Sequence, residues 1–286
     1  MIADRLGGGM YVSMRPRSPA LAPFVSSMGY LEGRFAHARE LSLPTGTAQL
    51  LVNLDADALH AYPIDGGVTQ SAPGAALLGA HGRPSLIDPA EQRAIAWVAF
   101  RPGGAYPFFP APASAVRDQL VPLDELWPGT DLRDRLASSP LAGSARLGGG
   151  GGLSGGERRA EAMLAVMERA LLEAACRPLS PDPATGVAVR SLARGATVAE
   201  TADRLGWTPR GLARRFVERV GLTPKRFARV RRLQRLLATD GDWASRAAAC
   251  GYHDQAHMIH EFRELAGMLP TGYAPRSPGE ANHVPV

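Results

Sequence analysis

The chain has little cysteine and no long apolar stretch. Only Cys176 and Cys250 occur among its 286 residues, and no Cys-x-x-Cys motif or Cys/His cluster surrounds them, so the sequence predicts neither a disulfide scaffold nor a zinc site. The longest uninterrupted apolar run is Ala94–Phe100, far below the roughly 20 residues of a membrane-spanning helix. Residues 1–10 also lack the basic and apolar regions of a signal peptide. We therefore expect a cytoplasmic protein with no membrane segment.

Signatures of catalysis and of cofactor binding are missing as well. The sequence contains no Ser/His/Asp motif, no P-loop and no dinucleotide fingerprint. His37, His60 and His81 lack the close spacing of a cupin metal site. We therefore predict no catalytic residues, no metal and no cofactor.

Positive charge is concentrated in the last third of the chain. Residues 184–276 carry 16 Lys and Arg against 8 Asp and Glu, a balance of +8, whereas the rest of the chain has a balance of −3. Such a run is often only a solvated face. Combined with helix signals, it indicates a surface that binds a polyanion.

Composition divides the chain into regions. Residues 13–112 hold short apolar stretches broken by Pro and Gly, which predicts mostly β structure, and residues 118–136 have a helical pattern. Seven of the nine residues in 148–156 are glycine, which predicts a flexible tether, followed from Glu157 by a helix that ends before Pro178. We predict a β-rich domain with a trailing helix at 13–140, a linker at 141–156, a connecting helix with a Pro-rich segment at 157–183, and a basic, helical domain at 184–276.

An internal repeat dominates the last third. The recurring positions are a small alanine, a glycine followed by an aromatic residue, two apolar residues, a second glycine and a proline. They are Ala202, Gly206-Trp207, Leu212, Phe216, Gly221 and Pro224 in the first copy, and Ala247, Gly251-Tyr252, Met258, Phe262, Gly267 and Pro270 in the second. An alanine four residues before the turn glycine lets two short helices cross closely, so each copy predicts a helix-turn-helix unit.

Boundary signals define the helices of this region. A capping box at Thr197 and Glu200 opens the first helix, and Thr208-Pro209 and Thr223-Pro224 supply an N-cap followed by a first-turn proline. The second of these patterns predicts an arginine-rich helix to about Ala238. Its length of about 22 Å could hold two units so that both reach successive major grooves.

The second helix of the first unit has two distinct sides. Leu212, Phe216 and Val220 fall on the side predicted to be buried. The other side presents Arg210, Arg214 and Glu218 at four-residue intervals, where a major groove would lie. Arginine suits this place because its fork can bond two acceptors of guanine, or a phosphate.

These residues resemble the DNA-binding domain of the AraC family of transcription regulators over about 90 of the 286 residues. Residues 243–270 are similar to that family's C-terminal signature along nearly their whole length. The resemblance implies a sequence-specific regulator of double-stranded DNA, acting as activator or repressor, for which RNA polymerase is a further partner. It implies base-facing positions at Arg210, Ala213 and Arg214 in the first unit, and at Gln255, Ala256, Ile259 and His260 in the second.

Some residues of the repeat depart from the family pattern or carry a second interpretation. Arg246 stands where the family usually has a buried Ile, and His260 where Arg is common, so the second unit could read bases less well. His257 and His260 could equally be surface or capping histidines. Trp207, Tyr252 and Cys250 are expected to pack inward.

Residues 21–127 resemble the sensor domain of a subset of AraC-type regulators. The resemblance lies in LAPFVSSMGY at 21–30, LPTG at 43–46, QLLVN at 49–53 and FRPGGAYPFF at 100–109. It implies a small β barrel or cupin-like fold, followed by helices that pair subunits into a homodimer. The whole chain is then an α+β protein with an all-α double helix-turn-helix domain at its C-terminal end. Whether the sensor domain binds a small-molecule effector stays open.

Three interpretations therefore stand side by side. The first is a sequence-specific regulator, and the second is a cupin-type enzyme whose basic tail localises it on nucleic acid. The third is an architectural protein that binds DNA without sequence preference. The glycines after Arg101 could present backbone N–H groups to an anion, although a structural turn is the favoured interpretation.

Overall fold

The computed structural model describes residues 2–4, 9–139, 155–277 and 279–286. Strands make up most of its N-terminal part. They are β1 Ile2–Asp4, β2 Met10–Met14, β3 Val25–Glu32, β4 Glu40–Ser42, β5 Gln49–Asn53, β6 Ala58–Pro63, β7 Gln70–Pro73, β8 Ala75–Leu78, β9 Ser85–Ile87, β10 Ala94–Phe100 and β11 Leu120–Pro122, with β12 His283–Pro285 far along the chain.

Helices make up the remainder. They are α1 Leu123–Leu126, α2 Leu132–Ala137, α3 Gly155–Glu173, α4 Pro183–Ala193, α5 Val198–Arg204, α6 Pro209–Val220, α7 Pro224–Ala238, α8 Trp243–Ala249 and α9 Gln255–Ala266. The β-rich first part and the helical last third confirm the predicted α+β class. No helix in the described ranges is both long and apolar enough to cross a membrane.

The strands form two antiparallel sheets. One has the order β1-β2-β3-β10-β5-β8-β11, and the other has the order β12-β4-β9-β6-β7. Alternation along β5 explains how the larger sheet is covered on both faces. Leu50 and Val52 belong to the core that includes α1, α2 and α3, whereas Leu51 lies on the opposite face, where it lines a cavity.

Helix α3 completes the N-terminal core. Its buried face consists of Ala160, Met163, Leu164, Met167, Ala170 and Leu171, which share one cluster with β2, β3 and β10. The helix therefore packs with the N-terminal sheet, while the predicted domain limits stay a prediction. Two expectations need correction. Gly155 and Gly156, which were predicted to belong to the tether, lie in the first turn of α3. The region 118–136, which was predicted to be helical, contains the strand β11, which pairs with β8. The rest of the predicted tether lies outside the described residues.

The helical part shares its cores with the N-terminal part. Ala80 belongs to the cluster of α4, α5 and α6. Leu41 and Leu43, on and beside β4, belong with Val284 of β12 to the cluster of α7, α8 and α9. Because both clusters draw residues from both parts, the helical units are packed against the sheets by apolar contact.

Candidate DNA-binding surface

The first helix-turn-helix unit forms where the boundary signals predict it. Thr197 Oγ1 accepts a hydrogen bond from the Glu200 amide at 3.1 Å, and the Glu200 carboxylate accepts one from the Thr197 amide at 2.8 Å, which completes the capping box of α5. The Thr208 side chain caps α6, with Pro209 in the first turn. These local bonds confirm the predicted start of both helices.

Each of the two units contains the same kind of turn, closed by the same backbone hydrogen bond. In the first, the Trp207 amide donates to the Ala202 carbonyl at 2.9 Å, and in the second the Tyr252 amide donates to the Ala247 carbonyl at 3.0 Å. The intervening glycines have φ of 65° at Gly206 and 77° at Gly251, the left-handed region that costs glycine least. The repeat read from the sequence is therefore a repeat of backbone geometry.

The predicted base-facing side chains lie at the solvent-facing edges of α6 and α9. Arg210 and Arg214 are exposed and Ala213 is half-buried. On α9, Gln255, Ala256 and His260 are exposed, and Ile259 is half-buried against the core of its unit. Within the described residues, no carboxylate lies within ion-pair distance of Arg210 or Arg214, which leaves both guanidinium groups for a ligand.

The buried side of α6 and the inward-facing residues at the turn of the second unit also follow the prediction. Leu212, Phe216 and Val220 are buried on α6. Cys250 and Tyr252 are buried in the second unit, whereas Trp207 is half-buried beneath the Arg215 guanidinium, 4.8 Å from its ring. Arg246 is accommodated in place of an apolar residue because its Nε donates to the Gly241 carbonyl at 2.6 Å.

Three arginines of α7 are held by two glutamates of α9. Arg229 Nε donates to Glu261 at 2.8 Å, and Arg232 donates twice to the same carboxylate at 2.9 and 2.7 Å. Arg226 and Arg229 both bond Glu264. The sequence predicted arginines along this helix but not their partners, so part of the positive charge of the region is neutralised internally.

The pKa values of the two glutamates follow from this network. Burial alone would raise the pKa of Glu261, but hydrogen bonds from Arg232 and Arg229 outweigh it and lower that pKa. Hydrogen bonds from Arg229 lower the pKa of Glu264 to about 2. Both groups are therefore anionic at neutral pH, and the network fixes the orientation of α9 relative to α7.

The N-terminal part contacts the first recognition helix. The Tyr106 hydroxyl donates to Glu218 at 3.1 Å, and the Ala113 amide donates to the Glu218 carbonyl at 2.8 Å. Glu218 was predicted on the groove-facing side of α6. The N-terminal end of that side, with Arg210 and Arg214, is exposed, whereas its C-terminal end, at Glu218, contacts the N-terminal part. The turn after Arg101 is structural, since the Gly104 amide donates to the Arg101 carbonyl at 2.7 Å.

A cavity of about 510 Å³ lies between the sheets and α7. Leu51, Ile95 and Trp97 line it from the larger sheet, and Arg231 and Gln234 line it from α7. Burial and the neighbouring Arg235 lower the pKa of Arg231, which has no ion-pair partner among the described residues. This half-buried cation beside an apolar wall is a feature that the sequence did not reveal.

The three histidines of the N-terminal part, whose spacing differs from that of a cupin metal site, each make different contacts. His37 bonds Glu40 at 2.7 Å, His60 bonds Glu91 at 3.2 Å, and His81 is buried. No group of three metal-ligating side chains is present within the described ranges.

Two family models match the chain. A helix-turn-helix domain matches residues 201–276, and a domain of unknown function matches residues 13–122. No curated protein matches the chain. The first match begins within α5 and includes α6 to α9, so it identifies residues 201–276 as a helix-turn-helix domain.

Several solved structures of ToxT from Vibrio cholerae are similar to the chain. One at 1.65 Å resolution is 10% identical, with 92% of this chain and 97% of that chain covered and a TM-score of 0.45. ToxT bound to (E)-4-(8-methylnaphthalen-1-yl)but-3-enoic acid is 11% identical with the same coverage and a TM-score of 0.45. Wild-type ToxT with a bound unsaturated fatty acid is 8% identical, with coverage of 92% and 94% and a TM-score of 0.42.

Proposed function

We propose that this chain is a transcription regulator of the AraC type, which reads two successive major-groove segments of one duplex with α6 and α9 of its helix-turn-helix domain. The observation that carries the proposal is the repetition of one helix pair with the same turn bond and an exposed N-terminal edge on each second helix. The Arg–Glu network between α7 and α9 supports it, because two grooves at a fixed spacing require units held in a fixed relation.

The exposed side chains suggest what each unit reads. Arg210 and Arg214 suit guanine, because the guanidinium fork matches its two acceptors. Ala213 and Ala256 are too short to bond a base edge and suit the methyl group of thymine. Gln255 suits adenine, Ile259 suits a thymine methyl, and His260 is the remaining polar contact of the second unit.

Selection of bound duplexes from a random pool tests this function. We expect the full chain to bind a selected duplex roughly 10³-fold or more tightly than a random duplex at the same salt concentration. The selected sequences should contain two half-sites about 10 base pairs apart, since two recognition helices on one face of DNA enter grooves one turn apart. A ratio near one would favour the architectural DNA binder instead.

The cavity beside α7 is the site that we propose for a small-molecule effector. Its volume of about 510 Å³ lies within the range of ligand sites, roughly 300 to 1,000 Å³. The unpaired guanidinium of Arg231 favours a ligand that carries an acidic group, while Leu51, Ile95 and Trp97 favour an apolar body. An apolar acid in this position would contact the sheet and the helix that joins the two units.

Dodecanoate and dodecanol form a matched pair that tests the effector site. Dodecanoate should change the fluorescence of Trp97 on binding, and a Trp97→Phe variant identifies that signal among the four tryptophans. The alcohol, and dodecanoate with an Arg231→Ala variant, should each bind about tenfold or more weakly, because a charge-assisted hydrogen bond is lost. An exposed arginine of the N-terminal part, changed in Arg83→Ala, is the control. Equal binding of acid and alcohol would refute an acidic ligand.

Further predictions concern the whole protein. Its composition and missing motifs predict a cytoplasmic protein without catalytic activity, and the family resemblance predicts contact with RNA polymerase and pairing of two copies. Sedimentation of the purified chain at several concentrations tests the pairing.

A further inference from the structure

The chain returns from the helix-turn-helix domain to the N-terminal part in residues 276–277 and 279–286, which we call the closing segment. Strand β12 pairs antiparallel with β4, with His283 opposite Ser42 and Val284 opposite Leu41. The Leu43 amide donates to the Asn282 carbonyl at 2.8 Å. The Val284 side chain is completely buried in the cluster that joins β4 to α7 and α9. The closing segment thus adds a strand to the edge of the smaller sheet.

A buried carboxylate anchors the closing segment. Glu40 has no exposed surface and accepts hydrogen bonds from Arg276 at 2.9 Å, from His37 at 2.7 Å and from His283. Arg276 also bonds Glu280 at 2.8 and 2.7 Å. Burial alone would raise the pKa of Glu40, but the bonds from His283 and Arg276 outweigh it and lower that pKa to about 2. Removing the segment would leave a buried, ionised group without two of its partners.

The closing segment also forms one wall of the effector cavity. Arg276, Glu280, Asn282 and His283 line that cavity beside Arg231. Gln234 of α7 donates both to the Asn282 side chain at 2.7 Å and to the Pro44 carbonyl at 2.8 Å. The helix that joins the two units is therefore fastened to the N-terminal part through the same segment.

With the two parts fastened in this way, the N-terminal part stands beside the first recognition helix. A groove of about 1,120 Å³ has Tyr106, Pro112 and Ser114 on one side and Arg210, Ala213 and Arg214 on the other. A duplex contacted by Arg210 and Arg214 would run against the loop that holds Tyr106. A duplex at α6 would therefore share this groove with the N-terminal part for as long as the two parts stay in contact.

We propose that the closing segment is an intramolecular latch, seated on Glu40 and the edge of β4, which keeps the N-terminal part against α6 and so lowers the affinity for DNA. The proposal rests on the proposed DNA-binding function, because affinity for DNA is one of its measurements. Release of the latch frees the groove-facing edge of α6 and opens one wall of the effector cavity. A ligand in the cavity would then favour the state in which the two parts are in contact, whereas a duplex would favour the state in which they are apart.

Two aspartate substitutions in the closing segment test the latch. Val284→Asp places a charge in the shared core and should release the segment, whereas Val286→Asp is the matched control because Val286 is 57% exposed. We expect Val284→Asp to bind a selected duplex about fivefold or more tightly than the parent, within the usual range of coupling between sites, and Val286→Asp to bind like the parent. Equal affinities for all three proteins would overturn the proposal.

A reversible crosslink tests the latch without disturbing the core. Ser42→Cys with His283→Cys places two cysteines opposite each other on β4 and β12, in a Cys176→Ser background that removes the exposed thiol. The oxidised form should bind the selected duplex about fivefold or more weakly than the same protein after reduction. No difference between the two forms would contradict the latch.

Hydrogen exchange at the Ala113 amide separates failure of the latch from failure of the proposed function. This amide bonds the Glu218 carbonyl across the two parts, so it should exchange faster in Val284→Asp than in the parent. If the parent shows no selective DNA binding, the proposed function is wrong, and this exchange rate still decides the latch. An unchanged rate means that the closing segment does not hold the two parts together.

Discussion

Replacing Glu261 by alanine is expected to lower the free energy of unfolding by about 3 kcal/mol, because Arg229 and Arg232 would lose the buried carboxylate between them. Removing one partner of a buried ion pair costs about 3 to 5 kcal/mol. The lower end applies because the two arginine side chains are 23% and 24% exposed, so water replaces part of the lost interaction. Denaturant unfolding followed by circular dichroism measures the change.

Two controls and an acid titration sharpen this test. Glu125→Ala removes an exposed glutamate of α1 and should change stability by less than about 0.5 kcal/mol. Because the pKa values of Glu261 and Glu264 are lowered in the folded state, their contribution to stability is present above the ordinary value of 4.5 and is lost as the pH falls below it, for Glu264 toward about 2. The parent should lose more stability than Glu261→Ala in this window. Parallel curves would show that the ionised carboxylate of Glu261 adds no stability.

Replacing Arg214 by alanine is expected to weaken binding to a selected duplex by about 1 to 3 kcal/mol, the value of one bidentate contact with guanine. Arg214 is exposed and has no ion-pair partner within the described residues, so the substitution removes no internal ion pair. Affinity for random duplexes should fall much less, because only one positive charge of the binding surface is removed. Repeating the selection with the variant should show relaxed preference at one base pair.

The controls for Arg214 separate charge from geometry. Arg214→Lys keeps the charge but not the planar fork, so it should recover affinity for random duplexes and not the lost selectivity. Arg34→Ala removes an exposed arginine of the N-terminal part and should leave both affinities unchanged. If Arg214→Ala kept the selectivity of the parent, Arg214 would be an ordinary solvated side chain.

Features fixed by neighbouring residues could be predicted from the sequence. The capping box at Thr197 and Glu200 and the Thr-Pro pairs before α6 and α7 act within four residues, so the helices begin where these signals stand. Both turns could be predicted from the repeat, because an alanine four residues before the turn glycine lets two short helices cross closely. The exposure of the proposed base-facing residues follows from helical periodicity alone.

Features that depend on distant residues could not be predicted in this way. Glu261 lies 32 residues from Arg229, and nothing in the arginine spacing of α7 identifies its partner. The cavity requires the positions of two sheets and a helix at once. Strand β12 has only three residues, with no alternation long enough to indicate a strand, and its sequence acquires that conformation only from the edge of β4.

The pairing of β12 with β4 has a consequence for how the protein is made. His283 follows Glu40 by 243 residues, so translation at about 5 to 20 residues per second needs roughly 12 to 50 seconds between them. During that time the edge of the nascent sheet is open, and an open edge is where chains aggregate. The smaller sheet is therefore completed only after the helix-turn-helix domain has been synthesised, and we expect a chaperone that shields β4 until then to raise the yield of native protein.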